Sequence, residues 1–181
     1  MKVFGIDPGS RFCGFGVVED AGGTRVRHLA HGVLEVGKGG SIGERLRALH
    51  EGLSRELRRH RPEMVVVEDV FHARNARSAL VLGQARGVAL LAAAQAGIEV
   101  RSFAPSVIKQ AVTGTGRAEK DQVGRMVAVV LGIPIQGRLD ASDALAAAIC
   151  GVLRALDPAG IAASHPPRRD WRATLARRFA K

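Results

Sequence analysis

Four apolar residues in a row, Met64-Val65-Val66-Val67, follow Pro62 and stop at Glu68. A run with no polar alternation is the pattern of a strand covered on both faces, and it asks for helices on either side of a sheet. The flanking sequence supplies them. "KVFGI" (2–6) is a short apolar strand ended by Asp7-Pro8-Gly9, and "FCGFGVVED" and "RVRHLAHGVLEV", parted by "AGG", continue it as a meander. Residues 41–60 carry Ile42, Leu46, Leu49, Leu53 and Leu57 on one side and charges elsewhere, an amphipathic helix with one buried stripe. Residues 76–96 are apolar nearly all round, so that helix is expected to be buried on more than one side. Gly83 and Gly87 within it each cost about 1 kcal/mol of helix propensity relative to Ala. That cost points to a close backbone approach, onto the sheet first of all, or across a dimer interface.

"IEVRSFAP" (98–105) reads as a fifth strand, "SVIKQAVTG" as a short helix, and helices follow near 119–131 and from about 139 to 156. The expected fold is α/β: a mixed five-stranded sheet flanked by helices on both faces. One domain over 1–157 is long enough to bury a core, and 158–181, with Pro-Pro and many arginines, reads as a basic, partly disordered tail.

The charge is lopsided: 27 Lys+Arg against 17 Asp+Glu, a net +10. Such an excess points to a polyanionic partner, nucleic acid above all, although a basic tail alone also produces it. Cys13 and Cys150 match no metal spacing and read as free buried thiols of a reducing compartment. No secretory signal is seen, and "VALLAAAQAGI" (88–98) falls short of the roughly 18–20 residues that span a bilayer. A cytoplasmic protein without membrane contact is expected.

The acids carry the chemistry. Asp7 and Glu68 each end an apolar strand, where a carboxylate is costly to bury unless something pairs with it. Asp140 and Asp143 open an otherwise Ala-, Leu- and Ile-rich helix, and their spacing of three puts both on one face. Helix capping explains that pair by itself, with Asp140 at the N-cap and Asp143 at the third position. If the ends of the central strands adjoin, however, four carboxylates from three chain regions converge. They repel one another unless cations hold them. Hard oxygen donors without clustered His or Cys select Mg²⁺, with Mn²⁺ as a substitute. Two such ions about 4 Å apart can activate a water and stabilise the leaving oxygen of a phosphodiester.

"GIDPGSRFCGFGVVE", "VVVEDVFHARNARSALVLGQARGVAL", "KQAVTGTGRAEKDQV" and "DASDALAAAI", in this order, resemble the RuvC family of bacterial Holliday-junction resolvases over about residues 1–155. The middle block is the most specific. The resemblance implies a ribonuclease H-like fold, a homodimer, and Mg²⁺-dependent cutting of four-way DNA junctions in recombination and repair, beside the RuvA–RuvB branch-migration complex. It carries the catalytic, metal-binding acids onto Asp7, Glu68, Asp140 and Asp143, a base-stacking aromatic onto Phe71, and DNA-facing lysines onto Lys109 and Lys120. Arg74, beside Phe71, and Arg117, in the Gly-rich "TGTG" loop, join them as expected DNA contacts.

Two other readings stay open at this level. A DNA-binding protein that has lost catalysis explains the charge but leaves four acids beside phosphate unexplained. An RNA-directed nuclease of the same fold differs only in substrate. "GIDPGS" also opens actin-like ATPases, whose second, repeated domain does not fit in 181 residues.

Overall fold

The structure, a computed structural model, describes residues 1–9, 11–37, 39–69, 75–134 and 139–156. Ten elements follow in order: β1 (Lys2–Asp7), β2 (Phe12–Asp20), β3 (Val26–Glu35), α1 (Ile42–His60), β4 (Met64–Glu68), α2 (Ala76–Gln95), β5 (Glu99–Phe103), α3 (Pro105–Thr113), α4 (Lys120–Leu131) and α5 (Leu139–Ala155). The sheet order is β3-β2-β1-β4-β5. β1, β2 and β3 form the antiparallel meander, whereas β4 runs parallel to β1 and β5 parallel to β4.

Strand pleating sorts the core into two layers. Val3, Met64, Val66 and Phe103 pack with α3, α4 and α5 on one face. Phe4, Ile6, Val17, Val65 and Val67 pack on the other, with Leu49, Leu53 and Leu57 of α1 and Ala85, Ala89, Ala92 and Ala93 of α2. The expectation of helices on both faces of a mixed five-stranded sheet is met. Ser41 opens α1 with a capping box: its hydroxyl accepts from the Glu44 amide, and the Glu44 carboxylate accepts from the Ser41 amide at 2.6 Å. Arg61, left-handed at φ 47°, and then Pro62 end it. The α1 stripe runs as read except at Ile42, the first residue of the helix, which is exposed. Both cysteines are free and buried, one in each layer.

The reading of α2 needs correction. Only the stripe Ala85, Ala89, Ala92, Ala93 is buried, while Leu80 and Leu91 are 63% and 50% exposed. A Cβ added at Gly83 or Gly87 would meet nothing within 4 Å, so neither glycine touches the sheet. The small, apolar side of α2 (Ala76, Leu80, Gly83, Gly87, Leu91) faces outward. The helix is apolar nearly all round, yet only one side is covered within the chain.

Candidate active site

β1 and β4 are parallel neighbours, and Ile6 lies opposite Val67. The next residues, Asp7 and Glu68, therefore end the two central strands side by side. Alternation fixes where they point. Asp7 shares a face with Val3 and Gly5, and Glu68 shares one with Met64 and Val66; both are the face covered by α5.

Three glycines bring α5 down to that level. Gly14, the register partner of Asp7, lies so close to α5 that a Cβ on it would stand 1.9 Å from the Asp140 carbonyl oxygen. A Cβ on Gly5 would stand 2.0 Å from the Ala144 carbonyl oxygen, and one on Gly16 would strike Leu145. The helix backbone rests on strand backbone here, which only glycine permits. Sequence analysis did not single out these residues. Their signal is the alternate spacing of Gly14 and Gly16 inside an otherwise apolar strand.

α5 begins at Leu139, so Asp140 lies inside the first turn and Asp143 a turn further on. The N-cap placement of Asp140 is thus not what the helix adopts, although an acid in the first turn still suits the helix dipole. Asp143 accepts an ion pair from Lys120 at the start of α4, Nζ to Oδ2 at 2.9 Å. Lys109 of α3 lines the same small cavity of about 50 Å³ with Glu68, Lys120 and Asp143, over an apolar lining that includes Ile108, Val123 and Ala146. Arg117 is on an exposed turn, its amide donating to the Thr115 hydroxyl at 3.4 Å. Phe71, Arg74 and the tail 158–181 lie outside the described residues.

The charges of this cluster are felt across it. Burial, then the negative charges of Asp143 and Glu68, push the Asp7 carboxyl up to about 7; Lys120 pulls the other way and Asp140 adds to the rise. Glu68 is raised too, by burial first and then by Asp143, with Lys120 and Lys109 opposing. Lys120 is held more firmly protonated, chiefly by its bond to Asp143. Beneath them the Cys13 thiol is pushed up to about 12, by burial and then by Asp7, and stays neutral.

Beyond the effect of burial, three acids raise Asp7 and one lysine opposes them, so negative charge outweighs positive around it. An all-oxygen donor set of this kind fits a hard divalent cation. As the side chains stand, no three His, Cys, Asp or Glu among the described residues close on one point as metal ligands, and Asp143 is engaged by Lys120. The donor chemistry fits an ion, and Lys120 supplies part of the missing charge.

Comparison with known proteins decides the family. The family model described as crossover junction endodeoxyribonuclease RuvC matches residues 3–151. The chain belongs to the RuvC family. A curated RuvC from Myxococcus xanthus is 51% identical over 184 aligned residues, 99% of this chain and 95% of that one. The solved Thermus thermophilus RuvC superposes with a TM-score of 0.78 at 36% identity, covering 86% of this chain and 96% of its own. The Thermus thermophilus RuvC solved in complex with Holliday junction substrate gives 0.80 at 37% identity, over 86% and 94% of the two chains. The sheet order and helix layers are thus those of RuvC, the ribonuclease H-like arrangement expected from the sequence. No helix among the described residues is long and apolar enough to cross a membrane.

Proposed function

We propose that this RuvC chain is a Mg²⁺-dependent endonuclease that resolves four-way DNA junctions by paired, symmetric nicks. The observation that carries the reading is the pairing of Asp7 and Glu68 at the ends of adjoining parallel strands, under the first turns of α5. It is supported by a 37%-identical relative solved with Holliday junction substrate.

Asp7, Glu68, Asp140 and Asp143 would hold the metal, two ions in the full complement, with Mn²⁺ able to stand in. Bound there, divalent cations supply the charge that makes water nucleophilic and steadies the oxygen that leaves. The chain's own groups do the rest. The strand ends and the glycine-seated helix keep the acids still, as hydrolysis at a single phosphate requires. Lys120 and Lys109 lie on the same cavity as Glu68 and Asp143 and can meet phosphate oxygens as the backbone enters. Lys120 then has two partners to choose between, Asp143 and the scissile phosphate, and it stabilises charge at the latter. Water adds across one P–O bond, leaving a 5′-phosphate and a 3′-hydroxyl. Phe71, by stacking on an unpaired base, with Arg74 and Arg117 on the backbone, complete the DNA contacts.

A two-fold substrate is served by two sites related by a two-fold axis. The outward Leu80, Gly83, Gly87 and Leu91 of α2 supply a surface on which two copies of the chain can pair closely. The enzyme would act in the cytoplasm beside the RuvA–RuvB branch-migration complex.

The deciding experiment compares a synthetic four-way junction with linear duplex while Mg²⁺ is titrated. Paired nicks confined to the junction and dependent on the metal are expected. A mobility shift without nicks at any metal concentration would establish a binding protein instead, and preferential cutting of RNA a nuclease of different substrate.

A further inference from the structure

The two acids that follow Val67 point to opposite faces of the sheet. Glu68 faces α5 and the other carboxylates. Asp69 is extended on past the strand, its amide donating to the Phe103 carbonyl at 2.9 Å, and it turns toward α2. There the Arg86 guanidinium meets it, Nη2 to Oδ1 at 2.5 Å. The same nitrogen reaches the Ser102 hydroxyl at 2.8 Å. Ser102 is on β5, directly opposite Val67 of β4, so one side chain from a helix ties together the ends of two strands. Both members of the ion pair are about three-quarters covered, with 26% and 30% of their side-chain surface left. Partial burial separates this pair from the solvated Arg47–Glu51 pair on α1 and gives its geometry consequence.

We propose that Arg86 is a positioning residue for Glu68. The proposal rests on Glu68 belonging to the catalytic set. Glu68 and Asp69 share a peptide unit, so fixing Asp69 from below fixes the direction in which Glu68 leaves the strand above. The clamp adds to the β1 and β5 ladders and to the Asp69–Phe103 bond in holding the β4 end against the repulsion that Glu68 feels from Asp143. Arg86 also emerges between Ala85, on the buried stripe of α2, and Gly87, on its outward stripe. The helix proposed to pair two copies is therefore the one that steadies Glu68.

The test measures single-turnover cutting, junction affinity, metal requirement and melting for Arg86→Met, Arg86→Lys, Asp69→Asn and Ser102→Ala. Arg86→Met is expected to slow cutting roughly ten- to a hundred-fold, the cost of a misplaced catalytic group, with junction affinity held within about twofold. The Mg²⁺ concentration for half-maximal rate should rise. Asp69→Asn should reproduce the defect, and the double variant should be no worse than either single one, because both remove the same clamp. Lysine keeps the charge without the planar fork and should recover only part of the rate. A folded Arg86→Met protein that cuts at the wild-type rate with the wild-type metal requirement would overturn the proposal. So would a parallel loss of rate and affinity, which marks a DNA contact. If Arg86→Met does not fold, Asp69→Asn decides by the same two criteria. A wild-type chain that leaves junctions uncut would instead sink the functional reading itself, and this proposal with it.

Discussion

Gly14 on β2 and Asp140 on α5 are in backbone contact: there is no room between them for a single methyl group. Gly14 is also the register partner of Asp7, so the contact sets the height at which two acids from opposite ends of the chain meet.

Gly14→Ala should therefore injure the site more than its size suggests. The clash is with a carbonyl, which cannot rotate away, so the start of α5 must lift. A stability loss of about 1–3 kcal/mol is expected, with cutting reduced well beyond the loss of folded protein. Denaturant unfolding alongside cleavage rates checks it. Wild-type activity in a folded Gly14→Ala protein would show that the helix seat is not part of the catalytic geometry.

Asp7→Asn should abolish cutting and leave junction binding largely intact, as read by gel shift. It should also stabilise the metal-free protein in a pH-dependent way. The folded state holds the Asp7 proton up to about pH 7, whereas the unfolded chain releases it near 3.8. Stability from this group is fully present below the lower value and is lost as pH rises through the upper one. The loss approaches about 4 kcal/mol at full ionisation. Melting temperatures of variant and wild type should thus lie close at pH 4 and diverge in favour of Asn at pH 8. A gap that shrinks with rising pH would contradict the assigned direction.

Lys120→Met separates charge from stability. The Lys120 side chain is 69% exposed, so losing its pair with Asp143 should cost less than about 1 kcal/mol. The acids, however, lose their nearest cation. The Asp7 carboxyl should titrate still higher in metal-free protein, measurable by carboxyl-carbon NMR, and cutting should slow roughly a hundred-fold. An unchanged Asp7 titration would mean that Lys120 does not act on the cluster in solution.

Gly83→Ala distinguishes the two sides of α2. The added methyl meets nothing within the chain, so the folded monomer should gain up to about 1 kcal/mol of helix propensity. If two copies pair there, the same methyl should weaken the dimer, and Leu80→Glu should abolish it. Sedimentation velocity reads the oligomer; a fully dimeric Leu80→Glu protein would move the interface elsewhere.

The strands and both central acids were legible because they rest on local patterns. Unbroken apolar runs announce β1 and β4, and an acid at the end of each announces the site. Depth was not legible. An all-apolar helix such as α2 looks the same whether its second side is covered by the sheet or left outward, and in sequence Gly83 and Gly87 fit a close approach either to the sheet or to a second copy. Relations across the chain were equally hidden. Nothing in the spacing of Lys120 and Asp143, or of Asp69 and Arg86, says that they touch. Gly14 and Gly16 read as weakness in a strand until α5 is seen resting on them.

The seating of α5 on Gly14 has a consequence in time. Asp7 leaves the ribosome first, and the helix that completes its surroundings is made some 130 residues later. Until that helix settles on the three glycines, the acids at the strand ends have no counterpart across the sheet. If the proposed acids are the cutting centre, that centre is incomplete in any chain that still lacks α5.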